Sequence, residues 1–463
     1  MKRARAAGAA VALAGLLHGC ASLPEPAKPQ VEVPAGWRSP ALSSYAITDL
    51  PWGTIFRSSE LEALLHEALA ANTDLAIAAQ RVALARAQLG VQRSFLYPQL
   101  AGAFAYDRQR LPVTGADENK VYESALLGLS MSAWEIDVWG RLRAAAEGAR
   151  RQVVATEETR RAAQTSIVAQ VATLYLQILE LDAQIDISRR TAASRRESLR
   201  LVDLRYRGGV ASKLDLQDAT TLVAQADQTT AEGERLLARN ENALSLLLGR
   251  LPGPIVRARR LQEFDIPAEL PAGVPSEILL RRADVRAAEQ ALYAADANIE
   301  AARKAFYPAI TLTGLLGFAS PALKDLFDGG RYAWQVSPAV TLPIFTAGRL
   351  QSNLEATQAQ REIALQTYVV TVRGAFAEVN DALSDYQRLS EERQALTTAV
   401  AADRERLRLS QLRYRGGVAA YFEVLDSSRQ LFQSELQLVQ ALRAQYAAIV
   451  DLYRALGGGA ESR

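Results

Sequence analysis

The chain has 463 residues, of which 49% are apolar and 22% charged, with 53 Lys and Arg against 51 Asp and Glu. This length allows two to four ordinary domains, and the apolar fraction is enough for a buried core. A near-neutral balance without a basic run excludes nucleic acid as an expected partner. The few aromatic residues, 7% of the chain, and the many Ala and Leu are typical of coiled coils.

The N-terminus carries an export signal. A basic stretch at residues 2–5 precedes the apolar run 6–17, which is too short to span a bilayer, so we predict a signal peptide at 1–19. Cys20 is the single cysteine, which excludes an intrachain disulfide, and it ends a Leu-His-Gly-Cys sequence that resembles a lipoprotein cleavage box. We predict that Cys20 is lipidated and anchors the segment 20–59 to outer-membrane lipid. The alternative is an incidental cysteine in the cleaved segment.

The chain contains one unit twice. Residues 205–211, Arg-Tyr-Arg-Gly-Gly-Val-Ala, recur unchanged at 413–419. Internal repetition of this kind indicates a duplicated structural unit. We therefore predict two repeats, 60–263 and 264–457, followed by a C-terminal tail at 458–463.

The difference in residue number between corresponding positions of the two repeats is not constant. It is 210 between Pro98 and Pro308, and 208 between Gly140 and Gly348. Because insertions collect in loops, the change of two residues indicates a hairpin in this segment.

Helical and alternating patterns succeed one another in each repeat. Apolar residues at helical spacing cover about 60–95, and the proline at position 98 then ends the helix. Two alternating segments follow in each repeat, apolar on one face, as the strands of an outer-membrane barrel require. The four predicted strands are about 98–110, 122–134, 308–320 and 333–345.

A long helix follows each hairpin. The segments 141–205 and 349–413 contain almost no helix breaker, and 65 residues at about 1.5 Å each give a helix of about 98 Å. A helix of this length must lie against neighbours as a coiled coil. The glycine pairs that follow end both helices.

Four transmembrane strands cannot form a barrel alone. Unpaired backbone groups in hydrocarbon cost several kcal/mol each, and the smallest outer-membrane barrels have eight strands. We therefore expect an oligomer, in which three chains would supply twelve strands. Aromatic residues at both ends of the hairpins indicate membrane interfaces, although soluble hairpins could also carry them. These residues are Tyr97, Trp139, Tyr307 and Phe345 at one end, and Tyr106, Tyr122, Phe318 and Trp334 at the other.

The stretches 270–277 and 281–289, the paired Tyr-Pro junctions and both Arg-Tyr-Arg-Gly-Gly-Val turns resemble outer-membrane efflux proteins of the TolC/OprM type. The resemblance covers about 40–457 and is to the lipoprotein branch that serves tripartite resistance-nodulation-division multidrug efflux systems. It implies a mainly α fold with transmembrane β structure, in which a homotrimeric twelve-stranded β-barrel stands on a long periplasmic α-helical tunnel with an equatorial belt. It also implies an exit duct in the outer membrane that conducts drugs or other small molecules passively, partnered by a periplasmic adaptor protein and an inner-membrane pump.

No catalytic residue, metal site or cofactor is predicted. His66 is the single histidine outside the signal peptide, and Cys20 offers no free thiol once it is acylated. The sequence has no metal-ligand cluster, phosphate loop or nucleophile elbow, so an enzyme is not expected.

Acidic residues follow both glycine turns at a spacing of three, which places each pair on one helix face. In a trimer, carboxylates that face inward would form acidic rings, which select cations. The resemblance implies a closed aperture here, with Arg207 and Arg415 as candidate ion-pair partners. The alternative is solvated charge and helix N-terminal acids favoured by the dipole. The candidate aperture residues are Asp215, Asp218, Tyr414, Arg415, Glu423 and Asp426.

The two turns are candidates for adaptor docking, because their short side chains permit tip-to-tip packing. The alternative is that they only end the helices. The residues concerned are Gly208, Gly209, Val210, Gly416, Gly417 and Val418.

Two other functions fit the same elements: a type I protein secretion duct and a trimeric coiled-coil surface protein. The lipoprotein box and the Arg-Arg-Ala-Asp-Val stretch favour small-molecule efflux.

Overall fold

The computed structural model describes residues 36–37, 58–112, 119–257, 260–264, 273 and 281–458. The predicted signal peptide, Cys20, most of the segment 20–59, the stretch 270–277 except residue 273, and the end of the tail lie outside these residues.

Long helices and one antiparallel sheet make up the described residues. Each repeat runs through a helical segment, a β-hairpin, a 67-residue helix and a 35-residue helix. The first repeat contains α1 (Ser59–Ala71), α2 (Thr73–Ser94), β1 (Leu100–Pro112), β2 (Asn119–Ile136), α3 (Arg141–Arg207) and α4 (Lys213–Leu247). The second contains α5 (Ala283–Lys304), β3 (Ala309–Ser320), β4 (Tyr332–Thr341), α6 (Arg349–Arg415) and α7 (Tyr421–Ala455).

The chain divides into two compact units. The strand unit contains Gln80–Glu157 and Ala287–Val369, and the helical unit contains Glu158–Arg286 and Val370–Arg463 together with Val31–Ala79. Both units draw on both repeats, so neither repeat is a compact domain by itself.

The sheet of the strand unit has the order β1-β2-β3-β4, with every neighbouring pair antiparallel. The central pair joins the two repeats, since β2 belongs to the first and β3 to the second. Gly128 lies opposite Gly317 in this pair, and a Cβ on either would meet the backbone of the other strand. Glycine is therefore required where these two strands approach each other most closely.

The change in repeat offset has two origins in the sheet. Leu100 pairs with Met131 and Ile310 pairs with Val340, so the offset falls from 210 in the first strand to 209 in the second, across the turn. The offset falls by one more residue, from 209 to 208, at an irregularity of β2 between Met131 and Trp134. The insertion predicted for the hairpin loop is thus half loop and half β-bulge.

Several predicted boundaries need correction. The fourth strand ends at Thr341 rather than near 345, because Pro343 has no N–H to donate to a ladder. The second strand is longer than predicted, from Asn119 to Ile136, since the polar residues near the loop also pair with β1. The two long helices extend two residues further than predicted, to Arg207 and Arg415, where the glycines end them.

The helix predicted over 60–95 is two helices with a break at Asn72. The Asn72 side chain accepts a hydrogen bond from Leu75 N–H at 3.1 Å, which caps α2, and donates one to the Leu247 carbonyl at 2.8 Å. N-capping of this kind starts a new helix. In the second repeat Arg282 occupies the same place and donates to the Ala455 carbonyl at 2.9 Å. Each repeat thus ties its first helical segment to the end of its last helix.

The helical unit buries large side chains of both α3 and α7. Tyr175, Leu176 and Ile178 of α3 and Tyr446 of α7 are almost completely buried. One stretch of α3 is long and apolar enough to cross a membrane by length and composition, but half of it is buried inside the chain. Packing within the chain accounts for that buried half.

Candidate aperture at the helical turns

The identical sequences 205–211 and 413–419 fold into nearly identical turns. Gly209 and Gly417 both have φ +73°, the left-handed conformation that glycine adopts without strain. The N–H groups of Val210 and Val418 donate to carbonyls five residues back, at 2.8 and 3.0 Å, which completes a Schellman motif at each helix end. Both valine side chains are exposed, so each turn presents a small apolar surface.

The first turn uses its leading carboxylate as a helix cap. Ser212 N–H and Oγ–H donate to Asp215 Oδ2 at 3.0 and 2.8 Å, and Asp215 N–H donates back to Ser212 Oγ at 3.0 Å. This reciprocal arrangement is a capping box. Asp215 therefore has a structural role that accounts for its position at the start of α4. Asp218 lies three residues further on and is half-buried.

The second turn has no such cap, because Ala420 replaces Ser212 and has no side-chain acceptor. Its carboxylates form ion pairs with α6 instead: Glu423 with Arg413 at 3.5 Å and Asp426 with Arg406 at close range.

These partners differ from the predicted Arg207 and Arg415. Arg207 pairs with Asp203 at 2.8 Å in its own helix, where the spacing of four residues places the two side chains together. Glu423 and Asp426 pair instead with Arg413 and Arg406, which lie two and nine residues before Arg415 in α6. A groove beside them is lined by Arg406, Arg413, Phe422, Glu423 and Asp426, among others.

Tyr414 connects the two turns. The Arg205 guanidinium lies 4.5 Å from the centre of the Tyr414 ring, and its Nη1–H donates to the Tyr414 carbonyl at 3.3 Å. The Tyr414 ring is in turn 5.4 Å from that of Tyr421. The first repeat therefore holds the end of α6 by a cation–π contact and a hydrogen bond.

Tyr421 is not among the aperture residues predicted from the sequence. It is buried in a core cluster with Val202 and Leu222 of the first repeat, and burial, with Tyr414 and the charges of Asp215 and Asp218, raises its pKa to about 12. The structure therefore gathers Asp215, Asp218 and Tyr414 around Tyr421, and keeps Glu423 and Asp426 together in the separate groove. The replacement of Lys213 in the first repeat by Tyr421 in the second was the available signal.

Arg195 was also missed. It is almost fully buried, yet these hydrogen-bond partners are neutral: it donates to the Leu222 carbonyl at 2.8 Å, to Ser428 Oγ at 3.2 Å and to the Ser428 carbonyl at 3.2 Å. Its guanidinium lies 4.8 Å from the Phe432 ring centre. Burial and the nearby charge of Arg429 lower the pKa of Arg195 to about 10. This side chain links α3, α4 and α7 and therefore joins the two repeats.

The described part of the chain holds no group of three His, Cys, Asp or Glu side chains that could bind a metal ion. Asp215 is engaged in the capping box, and Glu423 and Asp426 are engaged in the ion pairs described above. The arrangement is that of a charged, hydrogen-bonded helical terminus with two exposed apolar turns.

Comparison with known proteins places these features in a family. The family described as outer membrane efflux protein matches residues 64–250 and 274–458. The chain is 36% identical over 455 residues to the probable efflux pump outer membrane protein TtgC of Pseudomonas putida, with 96% of this chain and 93% of the relative covered. It is also 36% identical over 466 residues to the outer membrane protein OprJ of Pseudomonas aeruginosa, with 97% and 95% covered.

Solved structures agree with these sequence matches. The open state of the MtrE outer membrane channel of Neisseria gonorrhoeae is similar at a TM-score of 0.86 and 33% identity, with 95% of this chain and 98% of that chain covered. A membrane protein from Pseudomonas aeruginosa is similar at a TM-score of 0.88 and 35% identity, with 95% and 100% covered. These matches confirm the predicted fold class and the resemblance noted in the sequence.

Proposed function

The chain belongs to the outer membrane efflux protein family and is an outer-membrane channel of an efflux pump, and we propose that it works as a homotrimeric exit duct. In this proposal, drugs or other small apolar molecules pass through it from a periplasmic adaptor and an inner-membrane pump to the outside. The observation that carries the proposal is the match over 96% of the chain to relatives described as efflux pump outer membrane proteins. Relatives described as toluene and antibiotic efflux pump proteins support these two substrate classes.

The sheet supports a trimer. Each chain supplies four strands and leaves β1 and β4 as the outer strands, whereas a membrane barrel must have no open edge. Three chains would close a twelve-stranded barrel, within the range of known outer-membrane barrels.

Reconstitution in planar bilayers tests the duct. Purified full-length protein should insert and give discrete conductance steps, and it should restore resistance to toxic compounds in a strain from which its gene is deleted. A protein that inserts as a trimer without conductance would refute the duct. A protein that conducts but restores only the secretion of a polypeptide would favour a type I secretion duct.

We also propose that the carboxylates near the second turn hold a periplasmic aperture closed, together with Tyr414, Arg415 and the first-turn residues Asp215 and Asp218. Glu423 and Asp426 are the better test, because Asp215 also caps α4 and its removal would disturb the helix. The double variant Glu423→Gln/Asp426→Asn should raise conductance several-fold and increase the permeability to large antibiotics. An unchanged pore would remove these two residues from the gate.

Asp227→Asn is the matched control for the aperture experiment. Asp227 of α4 pairs with Arg196 of α3, and the Asp227 side chain is 48% exposed, the same fraction as that of Asp426. It lies twelve residues beyond Asp215, outside the proposed aperture. The Asp227→Asn variant should have the conductance of the unmodified protein. The control therefore distinguishes an effect on gating from a general effect of removing an ion pair.

The adaptor is proposed to dock on the two turns, through Gly208, Gly209, Gly416 and Gly417 and the exposed side chains of Val210 and Val418. Val210→Asp/Val418→Asp should abolish drug resistance while the purified pore conducts normally. Leu251→Asp serves as control, because Leu251 is at least as exposed as the two valines but lies after α4. Resistance that survives the double valine change would overturn the docking proposal.

Lipidation of Cys20 is part of the proposal and has a direct test. The mature protein should carry the mass of a diacylglyceryl and an acyl group at its N-terminal cysteine, since two or more chains give stable anchoring. Cys20→Ala should lack this mass.

A further inference from the structure

The two helical hairpins of one chain pack against each other near their turns through apolar side chains. Tyr421 of α7 lies in a buried cluster whose first-repeat members are Val202 of α3 and Ala219 and Leu222 of α4. Tyr421 is 5% exposed, and the other three are at most 1% exposed. The removal of apolar surface from water stabilises such a contact, so it holds the α3–α4 hairpin against the α6–α7 hairpin within each chain.

The duplication indicates what the corresponding contact between two copies contains. In a closed ring of identical chains, the first repeat of the next copy follows the second repeat of this chain. Corresponding residues near the turns are 208 apart, so Lys213 takes the place of Tyr421. The apolar surface that receives Tyr421 is replaced in the second repeat by a polar one, which consists of Ser410, Ser427 and Gln430.

This polar surface belongs to the groove between α6 and α7, which has a volume of about 660 Å³. Its lining includes Ser410 and Ser427 and the carboxylates of Glu423 and Asp426. The two acidic side chains are 43% and 48% exposed, although each has an arginine of its own chain beside it. The groove is therefore accessible in the single chain and can accept a further cation.

The contact within the chain indicates where that cation would lie. Burial, together with the charges of Asp215 and Asp218, raises the pKa of Tyr421 to about 12, so both carboxylates of the first repeat act on its phenol. Glu423 and Asp426 correspond to these two carboxylates in the second repeat. A side chain of the next copy at the place of Tyr421 would therefore lie near Glu423 and Asp426.

Lys213 has properties that its own helix does not explain. It is the first residue of α4, it is exposed, and within the described part of the chain it forms no ion pair. The partial positive charge at a helix N-terminus disfavours a cation there. An anionic partner outside the chain is a better explanation for a lysine at this position.

We propose that Lys213 of the partner subunit enters the groove between α6 and α7 and pairs with Glu423 and Asp426. This ion pair locks neighbouring copies together at the proposed aperture. The inference rests on the homotrimeric duct and the aperture proposed above, and it names the cation that the carboxylates of the second turn bind.

The lock is the weaker of the two contacts at the turns. Exposed ion pairs contribute little to stability and are screened by salt, whereas the contact within the chain buries Tyr421, Val202 and Leu222 almost completely. The turns of neighbouring copies therefore separate more readily than the two turns of one chain. Opening of the aperture between copies should depend on ionic strength.

Charge reversal in the full-length protein tests the lock in planar bilayers. Lys213→Glu and Glu423→Lys should each raise the conductance several-fold, because each leaves like charges facing each other across the groove. Lys213→Glu/Glu423→Lys should return the conductance to that of the unmodified protein, since the pair is restored with its charges exchanged.

The two single variants distinguish the lock from a direct effect of charge on ion entry. They change the net charge of the aperture in opposite directions, so an effect on ion entry would raise the conductance of one and lower that of the other. Such opposite shifts, or a double variant that conducts like the single ones, would overturn the lock. Lys324→Glu is the control, because Lys324 is an exposed lysine in the connection between β3 and β4, and its conductance should not change.

Ionic strength gives a second readout. Lys213→Met should conduct several-fold more than the unmodified protein at about 0.1 M salt and about equally at 1 M, because the Debye length falls from about 10 Å to about 3 Å. A difference of the same size at both concentrations would contradict an ion pair.

A cysteine pair tests the place of the contact. Gln217 and Gln430 are exposed in the single chain, and they correspond to Leu425 and Leu222, which share the buried cluster. Gln217→Cys/Gln430→Cys should therefore give covalent dimers and trimers under mild oxidation.

The control displaces one cysteine along the same face of α7. Gln437 is also exposed, but it lies about 10 Å further along the helix than Gln430, beyond the reach of a disulfide. Gln217→Cys/Gln437→Cys should cross-link much more slowly, and Gln217→Cys alone reports any cross-link through Cys20. Equal cross-linking of the two pairs would overturn the proposed contact.

Mass measurement in detergent and drug resistance separate the remaining outcomes. An unmodified protein that is monomeric would overturn the trimeric duct itself. A trimer whose conductance is unchanged in Lys213→Glu would overturn the lock alone. Loss of drug resistance in that same variant would then assign the groove to the adaptor.

Discussion

The ion cluster around Arg282 gives a sharp prediction about which of its members the fold can lose. Arg282 donates to both carboxylate oxygens of Asp284, at 3.0 and 2.6 Å, to Glu378 at 2.8 Å and to the Ala455 carbonyl at 2.9 Å. The Arg282 side chain is only 8% exposed, whereas those of Asp284 and Glu378 are 38% and 36% exposed. The cation is therefore buried, and the two anions reach water.

This asymmetry predicts that removing the anions costs more than removing the cation. In Asp284→Asn/Glu378→Gln the buried guanidinium loses its counterions. Breaking a buried pair costs about 3–5 kcal/mol, and the remaining Ala455 carbonyl at a helix C-terminus returns about 0.5–1 kcal/mol. We expect a loss of about 2–4 kcal/mol.

In Arg282→Met the two carboxylates remain partly hydrated. Each loses a contact of the surface type, worth about 0.2–1 kcal/mol, and the Ala455 carbonyl loses one hydrogen bond of about 1 kcal/mol. The expected loss is about 1.4–3 kcal/mol. Adding Arg282→Met to the double variant should restore about 1–2 kcal/mol, because the stranded cation is then gone.

The assay is thermal unfolding in detergent, followed by circular dichroism at 222 nm at one chain concentration, since assembly adds to apparent stability. For a unit of 150–250 residues, 1 kcal/mol corresponds to about 2–4 °C. The exposed pair of Arg388 and Glu391 supplies the control, and Glu391→Gln should not move the midpoint by more than about 1 °C. An Arg282→Met midpoint as low as that of the double variant, or a triple variant no more stable than the double, would refute the reasoning.

Three further predictions concern the helical unit. Burial alone would raise the pKa of Asp284, but the hydrogen bonds and charge of Arg282 lower it below its usual value. The stability that follows from this lowered pKa is present above about pH 4 and is lost as the pH falls through the folded pKa. Asp284→Asn should therefore make the stability depend less steeply on pH in the acid range. Gly249→Ala should destabilise by about 2 kcal/mol or more, because Gly249 has φ +70° and a Cβ would meet the Ala71 carbonyl. Arg195→Met should cost less than about 1 kcal/mol, because its partners are helix carbonyls and a hydroxyl, whereas Arg195→Ala should cost about 2–4 kcal/mol through the void it leaves.

Each of these has a result that contradicts it. An acid limb of unchanged steepness in Asp284→Asn would place the linked proton elsewhere. Gly90→Ala is the glycine control, since nothing lies within 4 Å of the added Cβ in α2, and an equal effect at Gly90 and Gly249 would exclude the clash. Equal losses in the two Arg195 variants would show that the charge, and not its volume, supports the fold. Midpoints of guanidinium unfolding measure the glycine and arginine changes.

Much of the fold depends on residues that are close together in the sequence and could therefore be predicted from it. The identical turns at 205–211 and 413–419 predicted the duplication, and the period of the apolar residues predicted the long helices and the paired strands. These signals depend on residues within one or two turns of each other. The same locality explains the boundary errors, since Asn72 looks like one more residue of a continuous helix until its side chain is seen to cap α2.

The candidate site was predicted less completely. The sequence placed carboxylates after both turns, but it could not assign their partners: Asp215 faces Ser212, while Asp426 faces Arg406. Tyr421 and Arg195 carried no motif at all. Their importance comes from burial between helices that are far apart along the chain.

The sequence by itself determined that this protein has two copies of a helix, hairpin and helical-hairpin unit, with Gly-Gly turns, because periodicity, proline and glycine act on neighbouring residues. The tertiary structure alone decided the register of β2 on β3, the bulge between Met131 and Trp134, and the ion pairs near the turns. A one-residue slip of a strand or a rotation of a helix leaves the local pattern intact but changes every contact across it. Those choices are fixed only when both surfaces are packed together.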